Sequence, residues 1–93
     1  MSIGDFAFAE CTDLKKIDLP TNLIALGGGI FYNCKSLKSI VIPKRITRID
    51  NLTFAYCNDL ISVTLPEVLF YIKREAFRSC QNLREIVFKG TKA

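Results

Sequence analysis

The side chains best able to do chemistry in this 93-residue chain are four cysteines, Cys11, Cys34, Cys57 and Cys80, each 23 residues after the last. Zinc sites draw on close pairs such as Cys-x₂-Cys, and a disulfide needs two Cβ atoms turned toward one another. Equal long spacing supplies neither, because equivalent residues on successive repeats point the same way. Each cysteine also has a Phe three residues before it and a Leu three after it. The set therefore reads as a buried column of free thiols, with Cys packing as a small hydrophobe. Inaccessible thiols persist in either redox environment, so the column says nothing about compartment. Histidine is absent, which removes Ser-His and Cys-His nucleophile pairs, an imidazole base and histidine metal sites. Asp13 and Asp59 share a column with Ser36 between them, while Asp5, Asp18, Asp50, Glu67, Glu75 and Glu85 scatter over others. No carboxylate pair is set up for acid–base work. Gly27-Gly28-Gly29 lacks the Gly-Lys-Ser/Thr that completes a phosphate loop and reads as local backbone accommodation. No enzyme activity, cofactor or metal is expected.

The spacing of the cysteines belongs to the whole chain. Phe8, Phe31, Phe54 and Phe77 keep the interval of 23, as do Leu14, Leu37, Leu60 and Leu83. So do Ile17, Ile40, Val63 and Ile86; Leu19, Ile42, Leu65 and Phe88; Leu23, Ile46 and Leu69; and Ile3, Leu26, Ile49 and Ile72. Pro20, Pro43 and Pro66 add a further column, with Lys89 in the fourth place. Four units follow, about 3–25, 26–48, 49–71 and 72–93, in one domain spanning 1–93. A period of this length marks a repeat array whose neighbours share one core.

Within a unit, Ile40 and Ile42 alternate and Pro43 then removes a ladder donor, which predicts a short strand ended by proline. Its equivalents run over Ile17 to Leu19, Val63 to Leu65 and Ile86 to Phe88. Strands recurring in one direction must stack in parallel. Ala76-Phe77-x-x-Cys80-x-x-Leu83 places apolar groups three apart, as one or two helical or 3₁₀ turns would. The expected class is α/β: a repeat solenoid with short parallel β-strands on one side and helical or irregular turns on the other. Neither end carries a polar cap, and the last strand is an open edge that invites pairing, either with further repeats or with another subunit.

These columns, written Ile-Gly-x-x-Ala-Phe-x-x-Cys-x-x-Leu-x-x-Ile-x-Ile-Pro-x-x-Val/Leu/Ile, resemble the BspA-like class of leucine-rich repeats from Ile3 to Phe88. The resemblance implies a right-handed leucine-rich-repeat superhelix and a role in adhesion or protein binding, often at a bacterial or protozoan surface. Asp50 and Lys73 stand where Gly4 and Gly27 match the family glycine. The asparagine column of ordinary leucine-rich repeats is replaced by Asn22, Arg45, Val68 and Thr91, so its ladder is not expected.

Positions the repeat does not constrain are where recognition resides. In Glu67-Val68-Leu69-Phe70-Tyr71-Ile72, Leu69 and Ile72 fall in core columns. Val68, Phe70 and Tyr71 then point outward beside Arg45 and Arg48 of the preceding coil, close in sequence to Lys73 and Arg74. Exposed aromatics among cations suit a protein partner. The competing reading has Phe70 and Tyr71 folding back over neighbouring coils, or covered by a further repeat or subunit. Nucleic acid is the weaker partner class: the net charge is only +4 and no block of like charge is long. No apolar run approaches a membrane span. Met1 leads into Ser2-Ile3-Gly4 without a basic or apolar leader region, which suggests a cytoplasmic product or a piece of a longer array. The leading expectation is a non-catalytic adhesion or host-interaction module of a larger surface protein. The alternative is a small intracellular protein that binds and inhibits or scaffolds a partner.

Overall fold

The computed structural model describes residues 2–69 and 71–88. Seven strands occur among them: β1 (Ser2–Ile3), β2 (Ala25–Leu26), β3 (Ser39–Val41), β4 (Arg48–Ile49), β5 (Ser62–Leu65), β6 (Tyr71–Ile72) and β7 (Glu85–Phe88). Every pairing is parallel and shifted by one 23-residue unit, for instance Ile40 against Val63 and Val63 against Ile86. The sheet β3-β5-β7 forms one wall, built from the alternating stretch ahead of each proline. A second wall, β1-β2 and β4-β6, is formed by the column of Ile3, Leu26, Ile49 and Ile72. That column was legible as core, but its strand character was not: two residues are too short a stretch to show a period.

Two expectations change. Ile17 to Leu19 is not a strand; Ile17 and Leu19 pack against the core, and beside the first wall the Lys38 N–H donates to the Lys15 carbonyl of coil one at 3.3 Å. A terminal coil has a neighbour on one side only, so its ladder is held by half the contacts of an internal one. The expected helical turns are also absent, for no described residue is helical. Bonds of the helical sense do start: the Cys34 N–H donates to the Phe31 carbonyl (3.1 Å) and the Leu37 N–H to the Cys34 carbonyl (3.3 Å), and the same pairs recur in each coil. A left-handed residue immediately before each cysteine stops them propagating: Glu10, Asn33, Tyr56 and Ser79 have φ of 62°, 61°, 62° and 58°. Such a φ costs an ordinary residue roughly 1–2 kcal/mol. It is offset because it turns the N–H toward the next coil, giving Glu10 to Tyr32 (2.7 Å), Asn33 to Ala55 (2.7 Å) and Tyr56 to Arg78 (2.8 Å).

Between the walls lies a core of stacked columns. The rings of Phe8, Phe31, Phe54 and Phe77 stack nearly parallel, with centroids 5.9, 5.5 and 5.2 Å apart. Phe31 and Phe54, on the inner coils, are fully buried, whereas Phe8 and Phe77 are half-buried. Thr53, the only buried polar residue among those described, donates its hydroxyl to the Asp50 carbonyl at 2.8 Å.

Candidate functional site

The cysteine column packs inside the array and is fixed by hydrogen bonds. Cys34, Cys57 and Cys80 each donate Sγ–H to the carbonyl of Phe8, Phe31 and Phe54, at 3.2, 3.1 and 3.0 Å. All four thiols are free. Burial, with smaller contributions from the neighbouring thiols of Cys80 and Cys34, pushes the Cys57 thiol up to about 12; burial also raises Cys34 and Cys80. A thiol held protonated in this way is a poor nucleophile and a poor metal ligand. Cys11 departs from the expected burial: in the first coil it is exposed.

The glycine run accommodates the coil before it. The Gly28 N–H donates to the Asp5 carboxylate at 2.8 Å, and a Cβ on Gly27 would lie 2.6 Å from the Asp5 backbone nitrogen. Gly29 is left-handed, with φ +63°, and a Cβ there would run into the Phe6 ring.

The predicted recognition residues fall in two places. Arg45 and Val68 occupy the same position on adjacent coils, at the corner just past the first wall. With Val41, Pro43 and Pro66 they line an open groove of about 560 Å³. The prolines end the strands and turn the backbone away, and the floor between Val41 and Val68 is left apolar. Val41 is 58% and Val68 45% exposed, so these are not core side chains. Lys44, Arg45 and Glu67 stand at the rim, and none is ion-paired among the described residues.

Arg48 and Tyr71 sit opposite one another on the second wall, in register between β4 and β6. Arg48 is committed locally, forming an ion pair with Asp50 at 3.1 Å. The Lys73 ammonium lies 5.7 Å from the centroid of the Tyr71 ring, a cation–π contact on the solvent side. Arg74 is exposed in the turn that follows, and Phe70 lies outside the described residues. The outward orientation expected for Val68 and Tyr71 is what the structure has. Sequence reasoning missed Val41, Pro43 and Pro66 as parts of a groove: the prolines read only as strand terminators. The available signal was an apolar residue in an outward column on each side of a proline column.

The geometry agrees with what is found among known proteins. The pattern of the BspA type leucine-rich repeat region (6 copies) matches residues 1–92. The chain belongs to this family. Among solved structures, this BspA-type array is similar to a leucine-rich cell surface protein from Faecalibacterium prausnitzii A2-165, with a TM-score of 0.83 and 26% identity. The match covers 98% of this chain and 30% of that one, so these coils span less than a third of the length of that relative. No curated protein matches. The leucine-rich-repeat fold with parallel strands is thereby shown, with turns between its walls among the described residues where helices had been an option.

Proposed function

We propose that this BspA-type array is a non-catalytic protein-recognition module, serving adhesion or host interaction as part of a larger surface protein. The observation that carries the reading is the corner groove, whose apolar floor at Val41 and Val68 and cations at Lys44 and Arg45, without an ion pair among the described residues, are not required by the repeat. Exposed apolar area rimmed by charge is the usual form of a protein-binding patch. The surface setting rests on the relative's description as a cell surface protein, and the non-catalytic character on the lack of histidine and the dispersed carboxylates. A protein partner is favoured over nucleic acid because Arg48 is neutralised by Asp50, which interrupts the strip of cations a phosphate backbone would follow.

Panning a displayed peptide library against the chain tests this. Enriched peptides should carry an aliphatic or aromatic anchor beside acidic residues, and Val68→Asp should weaken them about tenfold or more, the worth of one buried aliphatic side chain. Arg45→Glu should weaken them further. Enrichment indifferent to both substitutions would sink the groove as the site. Binding of an oligonucleotide with steep loss on adding salt would replace the partner class.

A further inference from the structure

Asn51-Leu52-Thr53 is the one Asn-x-Ser/Thr triplet in the sequence: Asn22, Asn33, Asn58 and Asn82 are followed two residues on by Ile24, Lys35, Leu60 and Arg84. Such a triplet is the acceptor pattern for an N-linked glycan, and it has meaning where the asparagine lies in a surface turn. Two observations on the inner coils, neither required by the repeat, bear on it.

The first is Thr53. It is fully buried, yet its equivalents one unit away, Ile30 and Ala76, are fully buried and apolar, so the column needs no hydroxyl. The bond from that hydroxyl to the Asp50 carbonyl, at 2.8 Å, offsets the cost of burying it and leaves little net gain. The second is Asn51, which opens the turn after β4 and is exposed. Its backbone is held on both sides: the N–H donates to the Asp50 carboxylate at 2.8 Å, and the carbonyl accepts the Gly29 N–H at 3.0 Å. The carboxamide itself makes no hydrogen bond among the described residues. Leu52 between them is left-handed, with φ 60°, and the turn leaves Asn51 on the surface and Thr53 in the core.

We propose that Asn51 is a site of N-linked glycosylation, taking an oligosaccharide carried on a lipid pyrophosphate. In the transfer the Asn51 carboxamide nitrogen bonds to C1 of the first sugar and the C1–O bond to the pyrophosphate breaks. The lipid pyrophosphate leaves with the bonding pair, and one amide proton passes to a base of the transferase. Because the Thr53 hydroxyl, the other half of the acceptor pattern, is enclosed in the finished fold, the transfer precedes closure of the third coil. Afterwards the glycan leaves from an exposed amide that has no bond to give up. It stands just past the second wall, whereas the corner groove lies past the first.

The inference rests on the surface setting proposed above, since only a chain entering a secretory route meets that donor. The test supplies the route itself, so its result reports on the acceptor, and the groove is judged separately by peptide panning. The full chain, directed through the secretory route of cultured eukaryotic cells by a cleavable leader, should emerge heavier than its polypeptide. Peptide N-glycosidase should remove the added mass and leave aspartate in place of Asn51 in the digest. Asn51→Gln and Thr53→Ala should each lose the added mass entirely, while Thr53→Ser should keep it in part. Circular dichroism checks the fold of all three variants; Gln replaces an exposed side chain, and Ala76 already fills the Thr53 column with alanine. Two results would overturn the proposal: a folded, secreted chain at its bare polypeptide mass, or a glycan that persists in Asn51→Gln.

Discussion

Cys57 shows how a residue with reactive chemistry is disarmed by its place in a repeat. Its thiol is buried, its one hydrogen goes to the Phe31 carbonyl, and ionisation is pushed from 9.0 to about 12. In native protein at mildly alkaline pH, iodoacetamide should modify Cys11 rapidly and Cys57 only after unfolding, as read by mass spectrometry of digests. The same shift has a stability consequence. The unfolded thiol loses its proton near 9 and the folded one near 12, so between these values the folded state holds more protons. By linkage, stability is intact below about pH 9 and falls as the pH climbs toward 12. Denaturant midpoints at pH 8 and pH 11 should differ in that direction, and Cys57→Ala should remove part of the difference. A second contrast at this scale concerns two glycines in one column. A Cβ on Gly4 meets nothing within 4 Å, whereas on Gly27 it meets the backbone of Asp5 and Gly4. Gly4→Ala should leave thermal stability unchanged, and Gly27→Ala should cost about 1–3 kcal/mol, the usual penalty of forced overpacking.

The elements are held less by their own lengths than by repetition. Among the described residues no strand exceeds four residues, and several have two, below what stands alone in water. What supports them is the stacked core behind, above all the phenylalanine ladder. Phe54 is fully buried between two rings, so Phe54→Ala should cost about 3–5 kcal/mol in urea unfolding. Phe8→Ala, at a half-buried end, should cost clearly less; equal losses would argue against a nearest-neighbour array. Much of this was legible in the residues. Ile40 to Ile42 before Pro43 announced the first wall, and the seven apolar columns gave the register to the residue. The turns were harder to read, because three-residue apolar spacing is shared by a helix and by successive turns. What decides between them is the left-handed φ at Glu10, Asn33, Tyr56 and Ser79, and only Asn33 is of a type that adopts it readily. The groove was half legible: Arg45 and Val68 were picked out, yet its floor of Val41, Pro43 and Pro66 depends on how two coils meet at a corner, which no single unit displays.

At the scale of the whole molecule, an array with neighbour-only contacts should be most stable in its middle and weakest at its ends. Amide exchange reports this directly, because the bonds running between coils repeat in kind but differ in position. The N–H groups of Phe31, Asn33, Phe54 and Tyr56 each donate to a carbonyl of the next coil, and Phe31 and Phe54 carry fully buried rings. Those of Phe77 and Ser79 have no acceptor among the described residues. In dilute solution the first four should therefore exchange slowly, through opening of the array, and the last two at rates close to those of an open chain. Uniform protection across all six would mean that the array opens only as one unit and that the end coil is covered by something else.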